Sequence, residues 1–380
     1  MLDIDEDQLD LFFDEIYQNL DVPKDTIRAA DKEHEILAEW LKDDSEVKFK
    51  TNSSLYPQGS VLFGTSVKPV KDGDDFDYDL VYLRQIQKDS ISKKELKEQV
   101  GEQLHRFVEH LKTINHPTIP TLKEGGRCWT LKYGNKFHMD ILPALPDEDH
   151  TRYTINKSDG IILTDKALHE WCFSNPKGYN TWFKNQMRQE LNEVKARLVR
   201  DSSMNIEEIP DNDAKTILQR AIQILKRHRD STFQGDKENK PISIIITTLA
   251  TKSYKKTGSL TKALKDIVST MASHIETKDG EDWVTSPINP AENFANKWKE
   301  NPTKKEAFYR WLELANEEFG SLETRGTVIQ LSEGLKKTMG ETVITGALKS
   351  YQEKKFKRDA LKIAVSSVKT QTPPHTEVKS

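Results

Sequence analysis

Cysteine is almost absent from this chain: Cys128 and Cys172 are the only two in 380 residues. That scarcity argues against a disulfide framework and against a cysteine-rich zinc site, and it suits a reducing, cytoplasmic compartment. No apolar run approaches the roughly 20 residues of a membrane span, so no membrane partner is expected. The N-terminus, Met1-Leu2-Asp3-Ile4-Asp5-Glu6-Asp7, is acidic and lacks the basic start of a signal peptide. A net charge of −4 provides no global field toward nucleic acid. Local basic clusters at Lys252, Lys255 and Lys256, at Lys304 and Lys305, and at Lys354, Lys355, Lys357 and Arg358 read as solvated helix faces. No internal repeat is visible.

What is present is charge, at 31% of residues, beside a modest 35% apolar content. Seven Trp and fourteen Phe still supply a substantial core. A chain of this length accommodates two or three domain-sized units or one two-lobed enzyme. Leu9, Phe12, Phe13, Ile16, Tyr17 and Leu20 recur at helical spacing, and Pro23 closes that helix. A second helix is predicted over 24–42. The pattern then changes to a short strand at 47–51, a Gly59-Ser60 turn, and extended segments at 67–70 and 77–83. Lys71-Asp72-Gly73-Asp74 joins those segments. Ser92-Lys93-Lys94-Glu95 is a capping-box pattern opening another helix. Strands are predicted at 127–133 and 136–142, joined by Gly134-Asn135. Beyond about Asp165 the chain reads as mostly helical. It has a strong amphipathic helix around Leu218, Ile222 and Leu225 and an apolar, buried one at 244–250. Further helices are predicted at 259–272, 291–300, 304–319 and 325–338. The last dozen residues, with Thr372-Pro373-Pro374, read as a flexible tail.

Chemistry concentrates in Asp75-Phe76-Asp77-Tyr78-Asp79-Leu80. Strand alternation puts the three carboxylates on one face and Phe76, Tyr78 and Leu80 on the other. Like charges on one face repel, which favours a cation between them. An edge strand guarded by charge is the bland alternative. A calcium-binding loop is a second competitor, but Leu80 stands at its glycine position and Ile86 at its bidentate glutamate position. Upstream, Gly59 and Gly64 permit close backbone approach, and Ser60 offers a hydroxyl and an N–H to a phosphate oxygen. Downstream, Asp140 is a carboxylate inside the apolar strand Phe137-His138-Met139-Asp140-Ile141-Leu142, where a lone charge is costly. His138 shares its face and reads as a packing or hydrogen-bonding residue.

Together these residues resemble the polymerase-β-like nucleotidyltransferase superfamily and, within it, the bacterial CD-NTases. The matching segments are Gly59-Ser60 with Gly64-Thr65, Asp77-Tyr78-Asp79-Leu80-Val81, and Met139-Asp140-Ile141 before Pro143-Ala144. Later segments match in the same order: Ser174-Asn175-Pro176-Lys177-Gly178-Tyr179, Leu225-Lys226-Arg227, Pro241-Ile242-Ser243-Ile244, and Pro290-Ala291-Glu292-Asn293-Phe294-Ala295. The stretch between Ser60 and Asp77 is longer than in most of the superfamily. Asp77 and Asp79 are taken as the ligands because the hydrophobic run begins at Leu80, which leaves Asp75 peripheral.

The resemblance implies an α+β fold: a polymerase-β-like core, a mixed sheet with flanking helices, packed against a helical C-terminal lobe. It divides the chain into N-terminal helices plus catalytic core (1–165), a helical lobe completing the nucleotide site (166–365) and the tail (366–380). Asp77, Asp79 and Asp140 would be catalytic and would hold two Mg²⁺ ions, with Mn²⁺ as a substitute. Gly59, Ser60, Lys226 and Ser243 would bind the nucleotide. Phe63 is as readily a core residue as a base-stacking one, Lys226 the polar edge of a helix, and Ser243 a cap. The implied reaction joins nucleoside triphosphates into a cyclic di- or trinucleotide plus pyrophosphate, in anti-phage (CBASS) signalling. The substrates are ATP first, with GTP or a pyrimidine triphosphate as others. CBASS accessory proteins are the implied partners, and no nucleic-acid activator is expected. Competing readings are a linear-product or macromolecule-modifying nucleotidyltransferase, and a non-catalytic nucleotide sensor.

Overall fold

The computed structural model describes residues 5–43, 52–71, 73–164, 170–201, 214–322 and 326–369. The strand expected at 47–51 and residues 370–380 of the expected tail lie outside the described residues, while 366–369, expected in that tail, are helical. The chain opens with α1 (Glu6–Leu20) and α2 (Lys24–Asp43). Asp5 caps α1 by accepting from the Gln8 N–H at 2.7 Å. Then come β1 (Ser53–Pro57), the one-turn helix α3 (Gly59–Phe63), β2 (Phe76–Arg84) and α4 (Lys93–Thr113). The Ser92 hydroxyl accepts from the Glu95 N–H at 3.1 Å, as the capping pattern predicts. Five strands follow: β3 (Thr121–Glu124), β4 (Trp129–Tyr133), β5 (Phe137–Pro146), β6 (Ile161–Thr164) and β7 (Trp171–Ser174).

The seven strands form one mixed sheet in the order β1-β2-β5-β4-β3, with β6 and β7 extending from the far end of β5. β2 and β5 are parallel, and the other pairs are antiparallel. A parallel pair needs a crossover, and α4 supplies it. One face of β2 and β5 is apolar. Phe76, Tyr78 and Leu80 pack with Met139, Ile141 and the buried stripe of α4, and α2 adds Ala30, Leu37 and Leu41. Helices against one face leave the opposite, carboxylate-bearing face open to a second layer.

That layer is helical. It comprises α5 (Pro176–Gln186), α6 (Arg188–Asp201), α7 (Ile217–Thr232), α8 (Ser243–Ser253) and α9 (Leu260–Thr270). A small hairpin, β8 (Glu276–Lys278) and β9 (Glu281–Trp283), precedes α10 (Lys297–Glu300), α11 (Pro302–Phe319), α12 (Val328–Met339) and α13 (Glu341–Lys369). The core of this layer includes Leu225 of α7, Ile246 of α8, Trp311 of α11 and Tyr351 of α13. Phe12, Phe13 and Ile16 of α1 belong to it as well, so the first helix crosses the boundary expected near residue 165. No described helix is long and apolar enough to cross a membrane.

Three local expectations differ from the structure. Residues 67–70 form no strand; the carbonyls of Lys68 and Pro69 accept from Arg227 of α7 instead. In 291–300 only Lys297–Glu300 is helical. Asn293 Oδ1 accepts from the Val284 and Ala295 N–H groups and its Nδ2 donates to Asp282 O, so a side-chain turn wins over the helix. Trp171–Ser174 is a strand because Phe173 and Cys172 complete the sheet against β6.

Candidate active site

β2 and β5 pair in register, with Asp77 beside His138 and Asp79 beside Asp140. Since Phe76, Tyr78 and Leu80 point into the core, Asp77 and Asp79 share the opposite face. β2 is flanked by β1 and β5, so its charges do not guard an edge. Its unbroken ladder is also incompatible with a calcium loop. Asp77, His138 and Asp140 each bring one potential ligand atom to within 4.8 Å of one another. Thr130, opposite Asp140 on β4, donates from its hydroxyl to Asp140 Oδ1 at 2.5 Å.

His138 is clasped between two carboxylates, with Nδ1 3.3 Å from Asp75 Oδ2 and Nε2 3.4 Å from Asp77 Oδ1. The hydrogen bond to Asp77 pushes its pKa up to about 9 against the opposing effect of burial, and the charges of Asp77, Asp140 and Asp75 assist. Both ring nitrogens of His138 thus face carboxylate oxygens. Asp75, expected to be peripheral, is the anchor of this arrangement. Burial works to raise its pKa, but hydrogen bonding from Lys132, 3.2 Å away, and the His138 charge hold it below the usual carboxylate range.

Asp79 turns the other way. A Cβ on Gly59 would come within 2.9 Å of Asp79 Oδ2, and Gly59 has a φ of 60°. The positive φ favours glycine, and a Cβ there would push the Asp79 carboxylate aside. Burial, then the Asp77 and Asp140 charges, push Asp79 up to about 7. A carboxyl so disfavoured as an anion, among oxygen donors, is the environment a hard divalent cation relieves. Among the described residues the donor atoms that converge within 4.8 Å belong to Asp77, His138 and Asp140, so Asp79, expected as a ligand, stands outside that group.

Facing the carboxylates is a cleft of about 380 Å³ lined by Gly59, Ser60, Phe63, Asp77 and Asp79 on one side. Lys226, Arg229 and Asp230 of α7, Lys240 and Ser243 line the other. Ser60 Oγ accepts from Ser66 Oγ at 3.1 Å, and Ser243 Oγ accepts from Arg229 Nη1 at 2.9 Å. Each serine thus has its acceptor side occupied and keeps its own O–H to donate into the cleft. Ser243 does not cap α8: the N-cap is Ile242, without a side-chain bond. Lys226 Nζ donates to Thr65 O at 2.8 Å. Burial, then Arg229, lower its pKa to about 7. Phe63 lines the cleft but is only 7% exposed, packed on Tyr179 and Phe183 with centroids 4.9 and 5.8 Å away. Arg227, adjacent to Lys226, points away and donates to Lys68 O and Pro69 O.

Sequence reasoning did not single out Arg229, Asp230, Lys240 or Thr130. Arg229 and Asp230 follow Lys226 at i+3 and i+4, so one helix face carries all three, a signal legible in principle. Lys240 comes from a polar loop whose return path no periodicity encodes.

A family model described as "Second Messenger Oligonucleotide or Dinucleotide Synthetase domain" matches residues 8–186. A c-di-GMP synthase of Roseivirga ehrenbergii is 31% identical over 293 residues, covering 76% of this chain and 73% of that protein. The cyclic dinucleotide synthase CdnG of Bradyrhizobium diazoefficiens is 21% identical over 366 residues, covering 92% of this chain and 84% of its own. Among solved structures, the CD-NTase CdnG of Bradyrhizobium diazoefficiens in complex with GTP shares the fold with a TM-score of 0.70 at 20% identity. It covers 90% of this chain and 99% of its own. The Vibrio cholerae cyclic AMP-GMP synthase DncV has a TM-score of 0.52 and 16% identity, covering 88% and 87%. With the α+β architecture, the in-register carboxylates and these relatives in view, the chain belongs to the CD-NTase family of nucleotidyltransferases, which synthesise cyclic oligonucleotides.

Proposed function

We propose that this protein joins two nucleoside triphosphates into a cyclic dinucleotide, with GTP as a substrate, and releases two pyrophosphates. The observation that carries the reading is the register of Asp77 and Asp79 beside Asp140, facing the serine and lysine side of one cleft. GTP, rather than the ATP expected first, is favoured by the c-di-GMP synthase relative and by the relative solved with GTP. In each step a ribose hydroxyl oxygen bonds to the donor's α-phosphorus while the bond from that phosphorus to the pyrophosphate oxygen breaks. The second step closes the ring.

Asp77, Asp79 and Asp140 are the proposed holders of two Mg²⁺ ions. Bound there, such ions supply the positive charge that stabilises attacking and leaving oxygens in an in-line displacement. Ser60 and Ser243 donate their free O–H groups to the donor's phosphates, and Lys226 adds a point charge. Asp140, oriented by Thr130, accepts the hydroxyl proton. His138 holds Asp77 from the side, with Asp75 behind it. Phe63 keeps the wall of the cleft rigid through its packing on Tyr179. A cytoplasmic, anti-phage signalling role with accessory proteins is part of the same proposal.

The test is incubation with labelled nucleotides and Mg²⁺, followed by alkaline phosphatase and mass spectrometry. The expected result is a phosphatase-resistant cyclic product from wild type and none from Asp77→Ala/Asp79→Ala. Phosphatase-sensitive linear products, labelled protein, or equal product from the double variant would overturn the reading.

A further inference from the structure

An acid on the phosphate side of the cleft is out of place by charge alone. Asp230 lines the same wall as Lys226 and Ser243, where a carboxylate repels a polyphosphate. Its surroundings show what it holds. Asp230 Oδ1 accepts from Arg229 Nε at 3.0 Å, from Arg229 Nη2 at 2.7 Å and from Lys240 Nζ at 3.1 Å. Burial opposes its ionisation, yet Arg229 and Lys240 hold its pKa below the usual range. The other end of the Arg229 guanidinium reaches across to the turn that enters α8. Nη1 donates to Pro241 O at 3.0 Å and to Ser243 Oγ at 2.9 Å. Arg229 is therefore a bolt between α7 and the start of α8, and Asp230 is what keeps the bolt in line.

Lys240 closes the arrangement from the loop between the two helices. Among the described residues its ammonium has one hydrogen-bond partner, Asp230, and its side chain is 38% exposed. Two of its three donors remain for a ligand. Arg229, by contrast, spends its donors inside the protein and is 5% exposed. The clasp thus turns a solvent-facing loop lysine into a cation presented to the cleft.

We propose that Lys240 binds the donor's polyphosphate and that Asp230 is a positioning residue: it aims Lys240 and, through Arg229, the Ser243 hydroxyl. This rests on the reading of the cleft as a triphosphate site. It makes a prediction of opposite sign to simple electrostatics. If Asp230 contributed only negative field, Asp230→Asn would tighten nucleotide binding. As a positioning residue it weakens binding, because Asn cannot accept the three charge-assisted bonds that align Lys240 and Arg229.

The experiment combines steady-state kinetics with calorimetric binding of inorganic tripolyphosphate in the presence of Mg²⁺. Asp230→Asn and Lys240→Met are each expected to raise KM for the nucleotide and the Kd for tripolyphosphate about tenfold, as for loss of one charge-assisted contact, with a much smaller change in kcat. The double variant is expected to be no weaker than Lys240→Met by more than about threefold, since both changes remove one coupled contact. Lys240 is partly exposed, so Lys240→Met reports on the cleft even where Asp230→Asn folds poorly. An unchanged or lowered Kd in Asp230→Asn overturns the positioning role, and unchanged binding in Lys240→Met overturns the phosphate contact. A wild type that binds tripolyphosphate but makes no cyclic product counts against the proposed reaction, while the binding comparison still decides this inference.

Discussion

Gly59 is a residue chosen by one torsion and one neighbour. Its φ of 60° is strained for any side chain, and a Cβ there would stand 2.9 Å from Asp79 Oδ2, so the carboxylate would have to shift. Gly59→Ala is expected to cost roughly 1–2 kcal/mol in stability from the positive φ. It is also expected to slow product formation on the order of 100-fold by displacing Asp79. Thermal melts and pyrophosphate release measure the two effects separately. Glu292 carries a different signal. Burial raises its pKa to about 7. Its contribution to stability is full below the ordinary glutamate value of 4.5 and is lost as pH rises toward about 7, because the folded state binds the proton more tightly. Glu292→Gln is expected to remove that loss, so the variant's melting temperature gains on wild type between about pH 5 and pH 8. Parallel curves would show that Glu292 is not held this way.

Among the elements, α7 does the most to assemble the site. Its polar side chains, and Lys215 two residues before it, bond to carbonyls of the segment 63–69. Lys215 donates to Gly64 O, Gln219 to Phe63 O, Gln223 to Ser66 O, Lys226 to Thr65 O and Arg227 to Lys68 O. Buried carbonyls need partners, and this segment has no ladder of its own to supply them. That is why a helix with a strong apolar stripe also buries Gln219, Gln223, Lys226 and Arg227. Gln223 is fully buried and also donates to Asp21 Oδ1 at 3.0 Å. Gln223→Leu is expected to cost about 1–3 kcal/mol by stranding the Ser66 carbonyl, read by urea denaturation. A higher KM should accompany it, since the segment that presents Ser60 loosens. A stability loss with unchanged KM would separate the fastening from the site.

For the molecule as a whole, one apolar cluster ties the first helix to the last. Phe12 lies 5.8 Å from Tyr351 of α13 and 6.1 Å from Phe13, which in turn lies 6.1 Å from Phe319 of α11. Phe12→Ala is expected to cost about 3–5 kcal/mol. Because Leu225 and Ile222 of α7 belong to the same cluster, the loss should reach the cleft as one cooperative transition. Differential scanning calorimetry and a probe of nucleotide turnover should report the same midpoint. A separate early melting of α1 and α13 would contradict that coupling.

The sequence by itself determined the local chemistry. Period-two alternation placed Asp77 and Asp79 opposite Phe76 and Tyr78, and Asp140 was conspicuous as a charge in an apolar strand. Both signals survive because strand periodicity is a property of consecutive residues. Only the tertiary structure decided which carboxylates meet. The parallel register sets Asp79 beside Asp140, and the fold gives Asp75 to His138 rather than to the open face. It also decided that α1 belongs with the helical layer, that 67–70 is fastened by α7, and that Lys240 returns to Asp230. Periodicity says which face of an element is apolar; it does not say which surface that face will meet, nor which side chain will satisfy a distant carbonyl or carboxylate.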